Sequence, residues 1–219
     1  MATKQLLTEL IGQFHERSAQ PVAVESVGGV DAARRVQAGE AFDVVVLAAN
    51  VIDQLTEAGK IVPGSRVDLI RSGVSIAVRS GAARPDISSE EAVKQAVLKA
   101  RSLSYSTGPS GVHLVKLFER WGIAGEIKPR TVQAPPGVPV GSLVARGEVE
   151  LGFQQLSELI HLGGIDVLGP LPPAIQIITP FSAGLGATST QAEAARTLLD
   201  FMVSPEALEA KLRNGMEPA

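Results

Sequence analysis

A chain of 219 residues is long enough to bury a sizeable core, as one large domain or as two small lobes. Hydrophobic residues make up 45% and charged residues 20%, the balance of a globular protein, and 20 Lys and Arg against 23 Asp and Glu leave a net charge of −3 with no basic stripe, which argues against a nucleic-acid partner. The sequence has no cysteine, so disulfides, thiol catalysis and cysteine-ligated metals are excluded.

No apolar run is long enough to span a bilayer. The opening "MATKQLLTEL" has one Lys and then an amphipathic pattern, without the continuous apolar stretch of a signal peptide; as written, the chain is expected in the cytoplasm. Leu6, Leu7, Leu10, Ile11 and Phe14 fall on one face of a first helix that Thr3 is placed to cap. Val22 and Val24 alternate with smaller residues, which predicts a strand. The Gly28-Gly29 pair then precedes a helix with Val30, Ala33 and Val36 on one side. "DVVVLAA" (43–49) is a short apolar run of the kind that forms a buried parallel strand. Val51, Ile52 and Leu55 begin another helix, and "VDLIRSGVSIAVRSG" supplies extended chain.

A second unit follows. "SSEEAVKQAVLKA" is a helix with a Ser cap and an acidic first turn. "SLSYS" reads as a strand, "TGPSG" as a loop, and "VHLVKLFERWGI" as a helix facing inward with Leu114, Leu117, Phe118 and Trp121. "PPGVPVGSLVARGE" leads through a helix into the strand "VELGFQQ". "LSELI" is helical, "IDVLGPLPPAIQIITPFS" is extended, and the end is helical with Gly215 as a stop. Strands alternate with helices throughout, so the class is α/β. The segments "RRVQAGEAFDVVVLA" and "SLVARGEVELGFQQL" share a layout that sets Gly39-Glu40 against Gly147-Glu148 and suggests two similar lobes.

Ligands of open α/β sheets bind where helices begin beyond the carboxyl ends of strands. Three junctions qualify: "MAT", "SVGGV" (26–30) and "STGPSGV" (106–112). The third offers the hydroxyls of Ser106, Thr107 and Ser110 together with Gly111. For each junction alone a turn with a helix cap is the favoured reading, and three converging on one cleft would reverse it. Gln154 and Gln155 follow a strand, and one of them is a candidate ligand contact; a solvated loop pair is the competing reading. His15, His113 and His161 lack metal-site spacing, "GLGATS" is an incomplete dinucleotide fingerprint, and "SSEE" is a helix start rather than an acid/base pair.

Together, "VGGVDAARRVQAGEAFDVVVLA", "STGPSGV", "GEVELGFQQL" and "SPEALEAKLRNGMEPA" resemble the molybdate-binding-protein-like branch of type II periplasmic solute-binding proteins, over nearly the whole chain. The resemblance implies an α/β fold of two lobes, each a mostly parallel sheet flanked by helices, with residues 1–78 plus 180–219 in one lobe and 79–179 in the other. It also implies a small anion held by helix starts and hydroxyls in a cleft. The residues it assigns to the ligand are Ala2, Thr3, Gly28, Gly29, Val30, Ser106, Thr107, Ser110, Gly111 and Gln155. Oxyanion binders of this branch carry serines where this chain has Ala2 and Gly28-Gly29-Val30, and a tyrosine where it has Gln155. That change favours a di- or tricarboxylate over molybdate. The same fold family includes isomerases of small unsaturated carboxylic acids such as aconitate, for which His113 and Glu25 are the proton-transfer candidates. The other readings are the oxyanion carrier of an ABC importer and, weakest, the sensing domain of a LysR-type regulator. No cofactor or metal is implied. The expected partners are the small anion and, if the protein is exported, an ABC transporter permease, with no membrane insertion. The family begins with a strand that feeds the first helix; a true start upstream would supply that strand and make the protein periplasmic.

Overall fold

The computed structural model describes residues 2–219. The chain divides into two compact units, Met1–Ser72 with Thr179–Ala219, and Gly73–Ile178. Both divisions fall inside strands.

The first unit contains helix α1 (Lys4–His15), helix α2 (Gly29–Gln37), strand β1 (Val44–Ala48), helix α3 (Ala49–Glu57) and the first half of strand β2 (Val67–Arg79). Its later part begins within strand β7 (Ile178–Leu185) and continues through helices α9 (Ala192–Val203) and α10 (Leu208–Arg213) to strand β8 (Glu217–Pro218). β7 lies between β1 and β2, and it pairs with β1 antiparallel, Val44 opposite Leu185. The pleat sends alternate side chains of "VVVLA" to opposite faces. Val45 and Leu47 pack with Val36, Ile52 and Leu55 of α2 and α3. Val44 and Val46 pack with the cluster built from Leu6, Leu10 and Phe14 of α1 and Leu198, Leu199 and Met202 of α9. Burial on both faces is why the run is continuously apolar.

Val22 and Val24 do not form the strand their alternation predicts. Residues 18–28 carry no regular structure, Val24 is exposed, and the Val22 N–H donates to His15 Nε2 at 3.2 Å. A strand is stabilised by its ladder, and among the described residues no neighbour pairs with this segment. Thr3 occupies the cap position of α1, but its backbone is already helical and its side chain makes no capping bond.

The second unit holds the rest of β2, helix α4 (Glu90–Lys99), strand β3 (Leu103–Tyr105), helix α5 (Pro109–Arg120), helix α6 (Ala124–Ile127), strand β4 (Thr131–Gln133), helix α7 (Val140–Ala145), strand β5 (Leu151–Gln155), helix α8 (Leu156–Leu159) and strand β6 (Ile165–Pro170). β3 pairs parallel with both β4 and β5, and β2 closes the sheet antiparallel to β5 and β6. The parallel character expected of each lobe is thus carried by β4-β3-β5 here, while β1 and β7 of the first unit run antiparallel. Phe118 of α5 centres the core on one face of this sheet, its ring 6.0 Å from Phe153 and 6.3 Å from Tyr105. Burying a side chain of that size contributes about 1.5–3 kcal/mol. Val140, Leu143 and Val144 of α7 pack with Leu159 in a second cluster.

The Gly-Glu echo is structural. Gly39 (φ 90°) follows α2 and Gly147 (φ 73°) follows α7, each just past a helix end in the left-handed region that glycine enters without penalty.

Candidate functional site

The predicted site residues fall in both units. In the second unit, β3 ends at Tyr105 and α5 begins at Pro109, so the loop between them turns on Ser106, Thr107 and Gly108. Pro109 opens the helix, where its missing N–H costs nothing. Ser110 is buried, and its Oγ lies 3.4 Å from Ser106 Oγ. That separation is at the outer edge of a hydrogen bond, so both hydroxyls keep bonding capacity for a third partner. Gly111 has a packing reason: a Cβ placed on it would stand 1.8 Å from the Ser106 carbonyl oxygen. The first turn of α5 therefore lies directly against the loop, which holds Ser106 and Ser110 together. Thr107 is half-buried beside them.

The register Tyr105–Phe153 carries Gln155 level with the chain as it leaves β3. The adjacent glutamines do different things because the pleat points them to opposite faces. Gln154 is buried, and its Oε1 accepts from the Gly141 N–H at 3.2 Å, capping the start of α7. Gln155 shares the face of Phe153. It is 3% exposed, and its Oε1 has no partner among the described residues. Ser157 Oγ, two residues on, is likewise buried and unpartnered. A buried polar atom left unpaired costs about 1–3 kcal/mol, so such groups mark places where something else supplies the bond. The sequence singled out Gln155 but not Ser157.

In the first unit, Ala2 and Thr3 open α1, and Gly28, Gly29 and Val30 open α2. Ala2 is packed against the apolar cluster and Thr3 is buried; Gly29 and Val30 are exposed. Gly28 has ordinary extended dihedrals (φ −57°, ψ 141°), and a Cβ on Gly29 would meet only Leu47, at 3.9 Å. Neither a tight turn nor packing at Gly29 demands these glycines. Gly28 at the cap position of α2 makes no side-chain capping bond, although the first N–H groups of a helix lack intrahelical partners. By contrast α4 is capped, Ser89 Oγ accepting from the Ala92 N–H at 3.1 Å. Asp31, in the first turn of α2, pairs with Arg34 at 3.2 Å.

The two proton-transfer candidates are occupied or exposed. Glu25 is bound to Arg35 at 2.7 Å, and His113 lies on the outer side of α5. Among the described residues no cluster of three or more His, Asp or Glu could hold a metal ion, and no helix is long and apolar enough to cross a membrane. Glu90 of "SSEE" accepts from Trp121 Nε1 and Arg120, both at 2.6 Å, and is held below the usual carboxylate range by the indole first. Burial raises the Tyr105 phenol.

Known proteins resemble this chain at two levels. It is 41% identical over 185 residues, 84% of this chain and 70% of the other, to a protein of a Pseudomonas species named aconitate isomerase. The periplasmic molybdate-binding protein of Azotobacter vinelandii superposes with a TM-score of 0.82 at 20% identity, covering 100% of this chain and 96% of that one. The tungstate-binding protein TupA of Desulfovibrio alaskensis gives 0.68 at 15%, covering 98% and 93%. At such identities these structures speak for the fold alone, the two-lobed type II periplasmic-binding-protein fold. Residues 1–217 match a single family along their whole length, and the chain belongs to it: the bacterial extracellular solute-binding proteins.

Proposed function

We propose that this protein binds a small polycarboxylate and isomerises it, with aconitate as the reference substrate. The observation that carries the reading is the buried Gln155, whose amide oxygen has no partner among the described residues, at the strand end level with the Ser106–Ser110 loop. A carboxylate accepts from the Gln155 NH₂ with one of its two coplanar oxygens. The hydroxyls of Ser106 and Ser110 supply donors to a second carboxylate oxygen. Support comes from the 41% identity to the aconitate isomerase, far above the 20% shared with the molybdate binder.

A thermal-shift panel tests the ligand class. A ligand at about 100 times its dissociation constant adds roughly 2.7 kcal/mol, or about 5–10 °C for a chain of this size. The expected result is shifts of that order with cis-aconitate, trans-aconitate and related acids, and little with molybdate, tungstate or sulfate. The largest shift appearing with molybdate would replace this reading with that of an oxyanion carrier.

A further inference from the structure

Gln155 ends β5, and Val74 of β2 stands directly opposite it in the antiparallel register. Residues opposed in such a pair share a face of the sheet. Val74 turns both of its backbone groups away from β5: its N–H donates to the Ile177 carbonyl at 3.1 Å, and its carbonyl accepts from the Leu171 N–H at 3.0 Å. Val74 and Gln155 are therefore a non-hydrogen-bonded pair, the kind that brings facing side chains closest, with Cα atoms about 4.5 Å apart. Val74 is completely buried in the core cluster that holds Phe153, so it forms a wall beside the Gln155 side chain.

One polar side chain is bound to that wall. Gln176 follows the turn Pro173–Ile175, and its amide oxygen accepts twice, from the Val74 N–H at 3.1 Å and from the Ile177 N–H at 2.8 Å. Its Nε2 lies 3.4 Å from the Leu171 carbonyl, at the outer edge of a hydrogen bond. A single amide thus closes residues 171–177 into a loop and pins the loop to the backbone of Val74. Gly73 leaves the room for it: a Cβ there would stand 3.1 Å from Gln176 Nε2 and 3.4 Å from Ile178 Cδ1. Leu171, Ile175 and Ile177 of the same segment pack with the core, whereas Gln176 commits its amide to the strand residue that faces Gln155.

We propose that Gln176 is a positioning residue of the carboxylate site: it fixes Val74, and through Val74 the Gln155 amide that meets the ligand. The assignment rests on the reading of Gln155 as a ligand contact. A binding group has to be held within about 0.5 Å of its working position by the residues that support it. The Gln155 amide oxygen has no partner among the described residues, so support for the side chain comes from the residues packed beside it. Without the Gln176 oxygen, the Val74 N–H keeps only the Ile177 carbonyl, and residues 171–177 lose one of the bonds that tie them to β2. The wall beside Gln155 then gives way, and the Gln155 NH₂ no longer has one fixed direction toward a ligand carboxylate.

The test titrates trans-aconitate by calorimetry into the wild-type chain, Gln176→Met and Arg130→Met, and records the side-chain amide NMR signals of each unliganded protein, that of Gln155 being identified from Gln155→Met. Gln176→Met keeps the length of the side chain and loses its hydrogen bonds. Arg130→Met is the control for lost stability, because Arg130 binds the carbonyls of Val97, Leu98 and Ala100 at the end of α4. Gln176→Met should bind about 10–100-fold more weakly than wild type, the worth of one hydrogen bond to a charged group, and its Gln155 amide signal should move. Arg130→Met should match the wild type in both. Wild-type affinity or an unmoved Gln155 signal in Gln176→Met overturns the assignment and leaves the carboxylate reading standing. An equal loss of affinity in Arg130→Met, which would show affinity following stability, overturns it too. Should Gln176→Met fail to fold, Gly73→Ala decides in its place, since its Cβ displaces the Gln176 amide: weaker binding supports the assignment and wild-type binding overturns it. A wild type that takes up no trans-aconitate overturns the carboxylate reading and this assignment with it.

Discussion

Replacing Gly111 by alanine puts the tightest contact of the second unit to work. The new Cβ would lie 1.8 Å from the Ser106 carbonyl oxygen and 3.2 Å from the Tyr105 ring. The oxygen belongs to the backbone, so no rotamer change relieves the clash; α5 or the loop must move by more than an ångström. Overpacking of this kind costs about 1–3 kcal/mol, and a backbone target puts Gly111→Ala at the upper end. At roughly 2–4 °C per kcal/mol for a chain of this length, a loss near 3 kcal/mol lowers the melting temperature by about 6–12 °C. The same movement separates Ser106 from Ser110, so ligand-induced stabilisation should fall as well. Gly29→Ala is the matched control. Its Cβ meets only Leu47 at 3.9 Å, so the unliganded melting temperature should hold or rise slightly. Thermal unfolding of the two variants, with and without trans-aconitate, checks the pair. A Gly111→Ala protein melting within about 1 °C of wild type would refute the packing argument.

Three further outcomes are expected. Gln155→Met removes a buried unpartnered oxygen, so the unliganded protein should be stabilised by about 1 kcal/mol or more while carboxylate binding is lost; calorimetric titration and thermal unfolding read the two effects. Ser110→Ala should leave unliganded stability nearly unchanged, because its contact to Ser106 is long at 3.4 Å, and weaken ligand binding by about 1–3 kcal/mol. Asp68 is held below the usual carboxylate range, by Ser182 first and then Arg66. Its contribution is therefore complete above its unfolded pKa and lost as pH falls through the lower folded value. Asp68→Asn should reduce stability at neutral pH by no more than about 1 kcal/mol, given the exposure of the pair, and flatten the acid limb of a stability–pH curve.

The sequence showed best where one element explains itself. The apolar face of α5, the continuous apolar run "VVVLA" and the Ser89 cap each follow from local pattern or a local bond, and the structure has them, although β1 pairs antiparallel with β7 rather than parallel. What needed a distant partner was hidden. Val22 and Val24 have strand periodicity but no ladder, and the three-residue β4 is too short to announce itself. The functions of the two glutamines separate only once β5 is folded, because the Gly141 N–H that binds Gln154 is 13 positions away. Gly111 illustrates the reverse case. Its type suggested bare backbone for a ligand, and its packing explanation required the Ser106 carbonyl to be in place.

Proton NMR started separately from cis-aconitate and from trans-aconitate, each with a catalytic amount of the wild-type chain, measures the central claim most directly. The account predicts that both samples drift toward one common mixture of the two isomers. Two spectra that stay as they began, with protein raised to stoichiometric amounts, would contradict it.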